Sequence, residues 1–280
     1  MLNKKFKKSL IFVILSLTFI LPGCANKPVS TANAKAQAEK QFTEVDKIKQ
    51  AGKIVLGTSA DWPPSEFHKE INGKDTIIGS DISIAKEIAK DLGVELEIKD
   101  MAFGGLLEAL QTGKVDIVLS SMVPTEERKQ SVDFSRIYHK GEQGVLIRAT
   151  DKDSLKSIDA LKGKKIGVQK GSLQVKLAKE QIESPDLKEL GKVSDLILSL
   201  KTNKVDAVLC GVEVAKAYVS KNPEIFVADI SIKANNDGTA VGMKKGSSAL
   251  VSEVNKTIDR LIQDKMIEKF ISEAQVLAEQ

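Results

Sequence analysis

The fold class predicted by the sequence is α/β, as two similar lobes facing each other across a central cleft, and three observations predict it. A segment of the first half returns in the second half. Leu110, Thr112, Lys114, Val115, Asp116, Val118 and Leu119 reappear ninety positions later as Leu200, Thr202, Lys204, Val205, Asp206, Val208 and Leu209. Lys53-Ile54-Val55-Leu56-Gly57 and Lys165-Ile166-Gly167-Val168 are each a short strand running into a polar loop. The expected strand ends Ser59, Ser120-Ser121, Gly171-Ser172 and Cys210-Gly211 are small or polar, and ligands of open α/β sheets sit outside the carboxyl ends of strands.

Composition narrows the function. The chain has 280 residues, enough for two modest cores. Its formal net charge of +4 comes from Lys4, Lys5, Lys7 and Lys8; the remainder carries 38 basic and 38 acidic side chains. That balance gives no basic footprint for nucleic acid. Two cysteines, Cys24 and Cys210, make no disulfide framework, and two histidines without a Cys/His cluster offer no zinc site. No metal and no cofactor is expected.

Residues 1–23 read as an export signal: a basic start, an apolar run over Leu10–Leu21, then Leu21-Pro22-Gly23 before Cys24. The apolar run is shorter than the ~20 residues of a spanning helix. The end resembles a bacterial lipobox, in which Cys24 is lipidated and tethers the chain to the outer face of a membrane. Residues 24–50 are expected to be a flexible tether, since 25–41 are small and polar.

Lobe 1 is expected over 51–141, with a return over 236–280, and lobe 2 over 142–235. In lobe 1, strand Ile54–Gly57 leads into Thr58-Ser59-Ala60-Asp61-Trp62-Pro63-Pro64, a loop stiffened by two prolines. An amphipathic helix follows, with Ile84, Ile88 and Leu92 on one face and Gly93 as its stop. Val94–Ile98 alternates as a strand, Leu106–Leu110 is a helix opened by Phe103-Gly104-Gly105, and Val115–Leu119 is a buried strand. Thr125 is placed to cap a helix whose first turn holds Glu126, Glu127 and Arg128. Lobe 2 holds strands Val145–Arg148, Lys164–Val168, Val205–Leu209 and Ile225–Val227, with helices at Leu173–Ile182, Ser194–Leu200 and Val212–Val219. Strand Thr239–Met243 and helices Leu250–Asp264 and Ile267–Leu277 close the molecule. Two short crossings between lobes make a hinge.

Arg128 is the leading candidate for ligand contact, because a planar guanidinium suits a carboxylate; a surface ion pair with Glu126 is the plainer alternative. Trp62 reads equally as core or as ligand platform on residue type alone, and its loop position favours the platform. Phe103 divides evenly between core and ligand contact. Ser120, Ser121 and Ser172 offer hydroxyls and N–H groups at strand ends, though loop serines commonly only shape turns. Gln169 to Ser172 form an anion-friendly turn before a helix. Cys210 reads as a buried structural thiol. No acid/base pair, nucleophile elbow or phosphate loop is present.

From Lys53 to about Glu273 the chain resembles the family 3 extracellular solute-binding proteins. The resemblance is carried by Ser59-Ala60-Asp61-Trp62-Pro63-Pro64-Ser65-Glu66-Phe67, Gly79-Ser80-Asp81-Ile82, Leu110–Val118, Thr125-Glu126-Glu127-Arg128, Asp133-Phe134-Ser135 with Tyr138, and Gly163–Ser172. It implies a two-lobe periplasmic-binding-protein-like (type II) fold with two hinge crossings. It also implies a monomeric, lipid-anchored protein that passes a polar amino acid to an ABC transporter permease. Arg128 would clamp the α-carboxylate, Trp62 would cover the side chain opposite Phe103, and Ser120 and Ser121 would hold the head, with Ser59 in the same first loop. Gln169 to Ser172 would complete the carboxylate's cage. The chain departs from the pattern at Gly211, where relatives carry an acid that pairs with the ligand's ammonium. Glu213 lies two residues on, and Ser59 with Asp61 is the other replacement. Two further readings keep the scaffold: an enzyme of the small-acid dehydratase kind, and a ligand sensor or adhesin.

Overall fold

Thr43 stands just before the first helix. Its hydroxyl accepts the Asp46 N–H at 3.2 Å while Asp46 accepts the Thr43 N–H at 2.9 Å, a reciprocal capping box for helix α1, Glu44–Ala51. The computed structural model describes residues 42–234 and 238–280. The export signal, Cys24 and most of the expected tether lie outside the described residues. The last part of that tether is corrected: residues 44–50 are helical, because Val45 and Ile48 form an apolar stripe that packs on the lobe 1 core.

In chain order lobe 1 contains β1 (Lys53–Thr58), a meander of β2 (Asp61–Trp62), β3 (Glu66–Ile71) and β4 (Lys74–Ile78), then α2 (Ser80–Leu92) and β5 (Glu95–Asp100). It continues with α3 (Leu106–Gln111), β6 (Ile117–Val118), α4 (Glu126–Ser131) and β7 (Val132–His139). Lobe 2 follows with β8 (Gln143–Arg148), β9 (Lys165–Gln169), α5 (Leu173–Gln181), β10 (Asp186–Leu190), α6 (Val193–Lys201), β11 (Ala207–Gly211), α7 (Val212–Lys221) and β12 (Ile225–Ile232). The chain then returns to lobe 1 as β13 (Thr239–Lys244), α8 (Ser248–Gln263) and α9 (Met266–Glu279).

The two main sheets have matching orders, β5-β1-β6-β13-β7 and β10-β9-β11-β8-β12. In each, four strands run in one direction and the fourth in the order, β13 or β8, runs against them. The sequence repeat occupies equivalent places in them, and its aspartates do equivalent work. Asp116 accepts the Val55 N–H at 2.8 Å, and Asp206 accepts the Lys165 N–H at 2.9 Å. Thr112 and Thr202 each donate back to a carbonyl four residues earlier, at 2.8 and 2.7 Å, closing the helix before the strand.

Burial follows a period of two. In β11, Ala207 and Leu209 face one lobe 2 core with Val145, Ile166 and Leu177, while Val208 and Cys210 face a second with Leu196 and Leu200. In β1, Ile54 and Leu56 face α2 and α8 through Ile84, Ile88, Val254 and Ile258. Two elements were not expected: the β2–β4 meander and β10. The meander is short and charged, and β10 (DLKEL) has no fully buried residue, so neither carries a clear apolar alternation.

Candidate functional site

The lobes meet at the carboxyl ends of β1, β6, β9 and β11. Arg128 is held there by its own helix start: Thr125 Oγ1 accepts the Arg128 N–H at 3.3 Å. Its guanidinium lies 5.4 Å from the centre of the Phe103 ring. Nη1 donates to Val123 O at 2.8 Å in lobe 1, and Nη2 donates to Gly171 O at 2.9 Å in lobe 2. Burial lowers its pKa to about 10, against a smaller opposing pull from Glu127. Among the described residues Arg128 has no ion pair, so the surface-pair alternative does not hold. Two of its five N–H donors meet carbonyls.

The structure brings Trp62, Phe103, Ser120, Ser121, Arg128, Gln169, Ser172 and Gly211 around one cavity between the lobes. Trp62 leaves the end of β2 and packs on a lobe 2 core cluster, with Cζ2 3.5 Å from where a Gly211 Cβ would stand. The indole therefore spans both lobes and walls the cavity at once. Ser121 takes a left-handed backbone, φ 46°, which its N–H bond to Asp81 Oδ2 at 2.8 Å holds. Gln169 Nε2 reaches Asp61 Oδ1 at 3.4 Å. Ser172 stands at the N-cap position of α5 without making a side-chain cap, and its Oγ is buried without a hydrogen-bond partner among the described residues.

Ser59 is the exception. It does not line the cavity; its N–H donates to Ser120 Oγ and its hydroxyl to Asp61 Oδ1, both at 3.1 Å, so it braces the site from behind. Asp61 is likewise committed. It accepts the Val193 N–H at the start of α6, and its carbonyl accepts the Tyr218 hydroxyl at 3.0 Å. Burial raises its carboxyl pKa, opposed by the Val193 N–H and by Lys192. Neither Ser59 nor Asp61 is placed to replace the acid absent at Gly211.

Glu213 does line the cavity, from the first turn of α7, and pairs with His139 Nε2 at 3.3 Å. That hydrogen bond raises the His139 pKa. The cavity wall also includes Val123, Gly141, Glu142, Gln143, Leu173, Gln174, Gly238 and Thr239, none of them singled out from the sequence as site residues. Gln174 lies two residues past Ser172 in α5 and bonds Gln143 Oε1 at 2.7 Å; its nearness to the helix start was the available signal. Glu142, Gln143 and Thr239 sit at the two hinge crossings, where short polar segments look alike.

The lobes touch directly. Lys192 reaches Asp100 at 3.0 Å, and a Cβ on Gly104 would lie 3.3 Å from Lys170 O. A guanidinium, a lone buried hydroxyl, two aromatic faces and a glutamate thus enclose one space. They supply a clamp for a carboxylate and a partner for an ammonium.

The model of the bacterial extracellular solute-binding proteins, family 3, matches residues 54–273. The arginine-binding extracellular protein ArtP of Bacillus subtilis is 34% identical over 265 residues, covering 93% of this chain and 94% of ArtP. A probable histidine-binding protein of Campylobacter jejuni is 30% identical, covering 96% of this chain and 97% of its own. Among solved structures, the amino acid ABC transporter substrate-binding protein AbpA from Streptococcus pneumoniae, bound to L-arginine, superposes with a TM-score of 0.81 at 38% identity. It covers 84% of this chain and 99% of AbpA. These relatives share the two-lobe type II periplasmic-binding-protein fold. The matched model spans both lobes and every residue that meets Arg128 across the cleft, and the chain belongs to the bacterial extracellular solute-binding proteins, family 3.

Proposed function

We propose that this chain captures a polar α-amino acid between its lobes and delivers it to the permease of an ABC importer, and that arginine is the first ligand to try. The observation that carries the reading is Arg128, a half-buried guanidinium with no ion-pair partner among the described residues, sharing a cavity with the unpartnered Ser172 hydroxyl. In this reading Arg128 and Ser172 hold the α-carboxylate, Glu213 takes the ammonium that Gly211 cannot, and the side chain lies between Trp62 and Phe103. Ser120, Ser121 and Gln169 supply the polar remainder, and Gly211 leaves room beside the indole. A ligand touching both lobes favours the closed form by its differential contacts. The relatives' arginine binding supports the choice of ligand. No catalytic step belongs to this reading, and the protein acts as a monomer held to the membrane by a lipid on Cys24.

Isothermal titration of the full chain with the common amino acids tests it. Saturable heat with at least one, arginine foremost, is expected; no heat with any would refute the assignment. The anchor has its own test: Cys24→Ala expressed in a Gram-positive host is expected in the medium, not in the membrane fraction.

A further inference from the structure

Behind the Ser120–Ser121 loop lies a buried polar group that does not line the cavity. Glu66 begins β3, Asp81 stands in the first turn of α2, and Tyr138 is near the end of β7; all three are buried. The Tyr138 hydroxyl donates to both Asp81 oxygens, at 3.0 and 2.9 Å, and the Ser121 N–H donates to Oδ2 at 2.8 Å. Glu66 Oε1 accepts the Ser120 hydroxyl at 3.1 Å, and that same hydroxyl oxygen accepts the Ser59 N–H. Glu66 Oε2 is buried with no hydrogen-bond partner among the described residues, and Asp81 is the carboxyl that acts on it.

Two bare carboxylates cannot share a hydrogen bond, and their like charges repel in a buried site. One proton removes both the repulsion and the orphaned oxygen. Asp81 already receives a backbone N–H and a phenol, donors that favour its charged form, whereas Glu66 receives one hydroxyl. The proton therefore belongs on Glu66.

We propose that Glu66 carries a proton in the folded protein and donates it from Oε2 to Asp81, acting as a positioning residue for the Ser120–Ser121 loop. Burial, and next the Asp81 charge, hold the Glu66 carboxyl well above the usual carboxylate range, with Asp61 adding to the effect. Tyr138 and His139 are the other titratable groups around the pair, the first bonded to Asp81 and the second acting on it through its charge. The left-handed Ser121 is held by Asp81, so the pair governs a wall of the cavity without touching its contents. The role in ligand binding rests on the reading given above; the proton on Glu66 does not.

Glu66→Gln keeps the shape, with an amide N–H for Asp81 and a carbonyl for Ser120, while Glu66→Ala removes both. In the ligand-free full chain, thermal unfolding is followed against pH, and exchange of the Ser121 amide hydrogen is measured at neutral pH. The folded state binds the extra proton, so stability is expected to fall as pH rises from the ordinary carboxylate range through the raised value. E66Q is expected to match the parent at acidic pH, to exceed it in stability at neutral pH, to keep Ser121 protected and to lose that decline; E66A is expected to be less stable than E66Q throughout and to expose Ser121. For L-arginine, affinity should change by about twofold or less in E66Q and weaken by about tenfold or more in E66A. The proposal is overturned if E66Q is as damaged as E66A, or if E66Q keeps the parent's alkaline decline. Should the parent itself not bind L-arginine, the ligand assignment fails while the unfolding and exchange results still decide the proton.

Discussion

Arg128 is a charge partly withdrawn from water, with Glu127 acting on it from a distance and no ion pair among the described residues. That is costly unless something else supplies the anion. Arg128→Ala is therefore expected to weaken amino-acid binding by roughly 2–5 kcal/mol, read by titration calorimetry, with little loss of fold stability. Unchanged affinity would place the carboxylate elsewhere. Cys210 shows the opposite case. It is fully buried in β11, and burial pushes its thiol up to about 12. It is expected to stay unmodified by iodoacetamide in the native chain at pH 8 and to react once the chain is unfolded, as mass spectrometry would show.

At the scale of elements, small polar residues do the joining. Thr125→Ala removes the cap of α4 and should cost about 1 kcal/mol in denaturant unfolding. Because that cap also seats Arg128, binding should weaken with it, which a plain surface cap would not cause. Gly79 ends the β4–α2 turn at φ 133°, and a Cβ there would stand 2.1 Å from Ser65 O. Gly79→Ala is expected to destabilise by several times the cap's value, or to prevent folding. The meander β2–β4 and β10 escaped the sequence reading because their side chains are charged and partly exposed. They exist because neighbouring backbone completes their ladders, as β9 does for β10.

Across the whole molecule, closure is made by contacts that span the lobes: Asp61 to the Val193 N–H, Tyr218 to the Asp61 carbonyl, Lys192 to Asp100 and Arg128 to Gly171. The small cluster of Phe67, Ala217 and Ala278 adds α9 to this join. Asp61→Ala with Lys192→Ala is expected to shift the ligand-free chain toward an open form, seen as a larger radius of gyration in small-angle scattering. The His139–Glu213 pair gives closure a pH dependence. Its folded-state pKa is raised, so the contribution is complete below the ordinary imidazole value and is lost as pH rises through the raised one. Scattering of the ligand-free chain against pH should show the opening, and His139→Ala should abolish that dependence.

The two lobes were legible from one dimension because the repeat is a repeat of work. Asp116 and Asp206 each bind the neighbouring strand's N–H, and that demand keeps the same residues at the same spacing. Arg128, Trp62 and Ser172 could be placed at the cleft because strand ends and helix caps are local features of a sequence. The tertiary structure alone decided that Ser59 and Asp61 turn inward to brace, and that Glu213 comes to stand beside His139. It also decided that Glu66 shares its burial with Asp81. Those outcomes depend on which side chains meet across tens or hundreds of residues, and local spacing carries no record of such meetings.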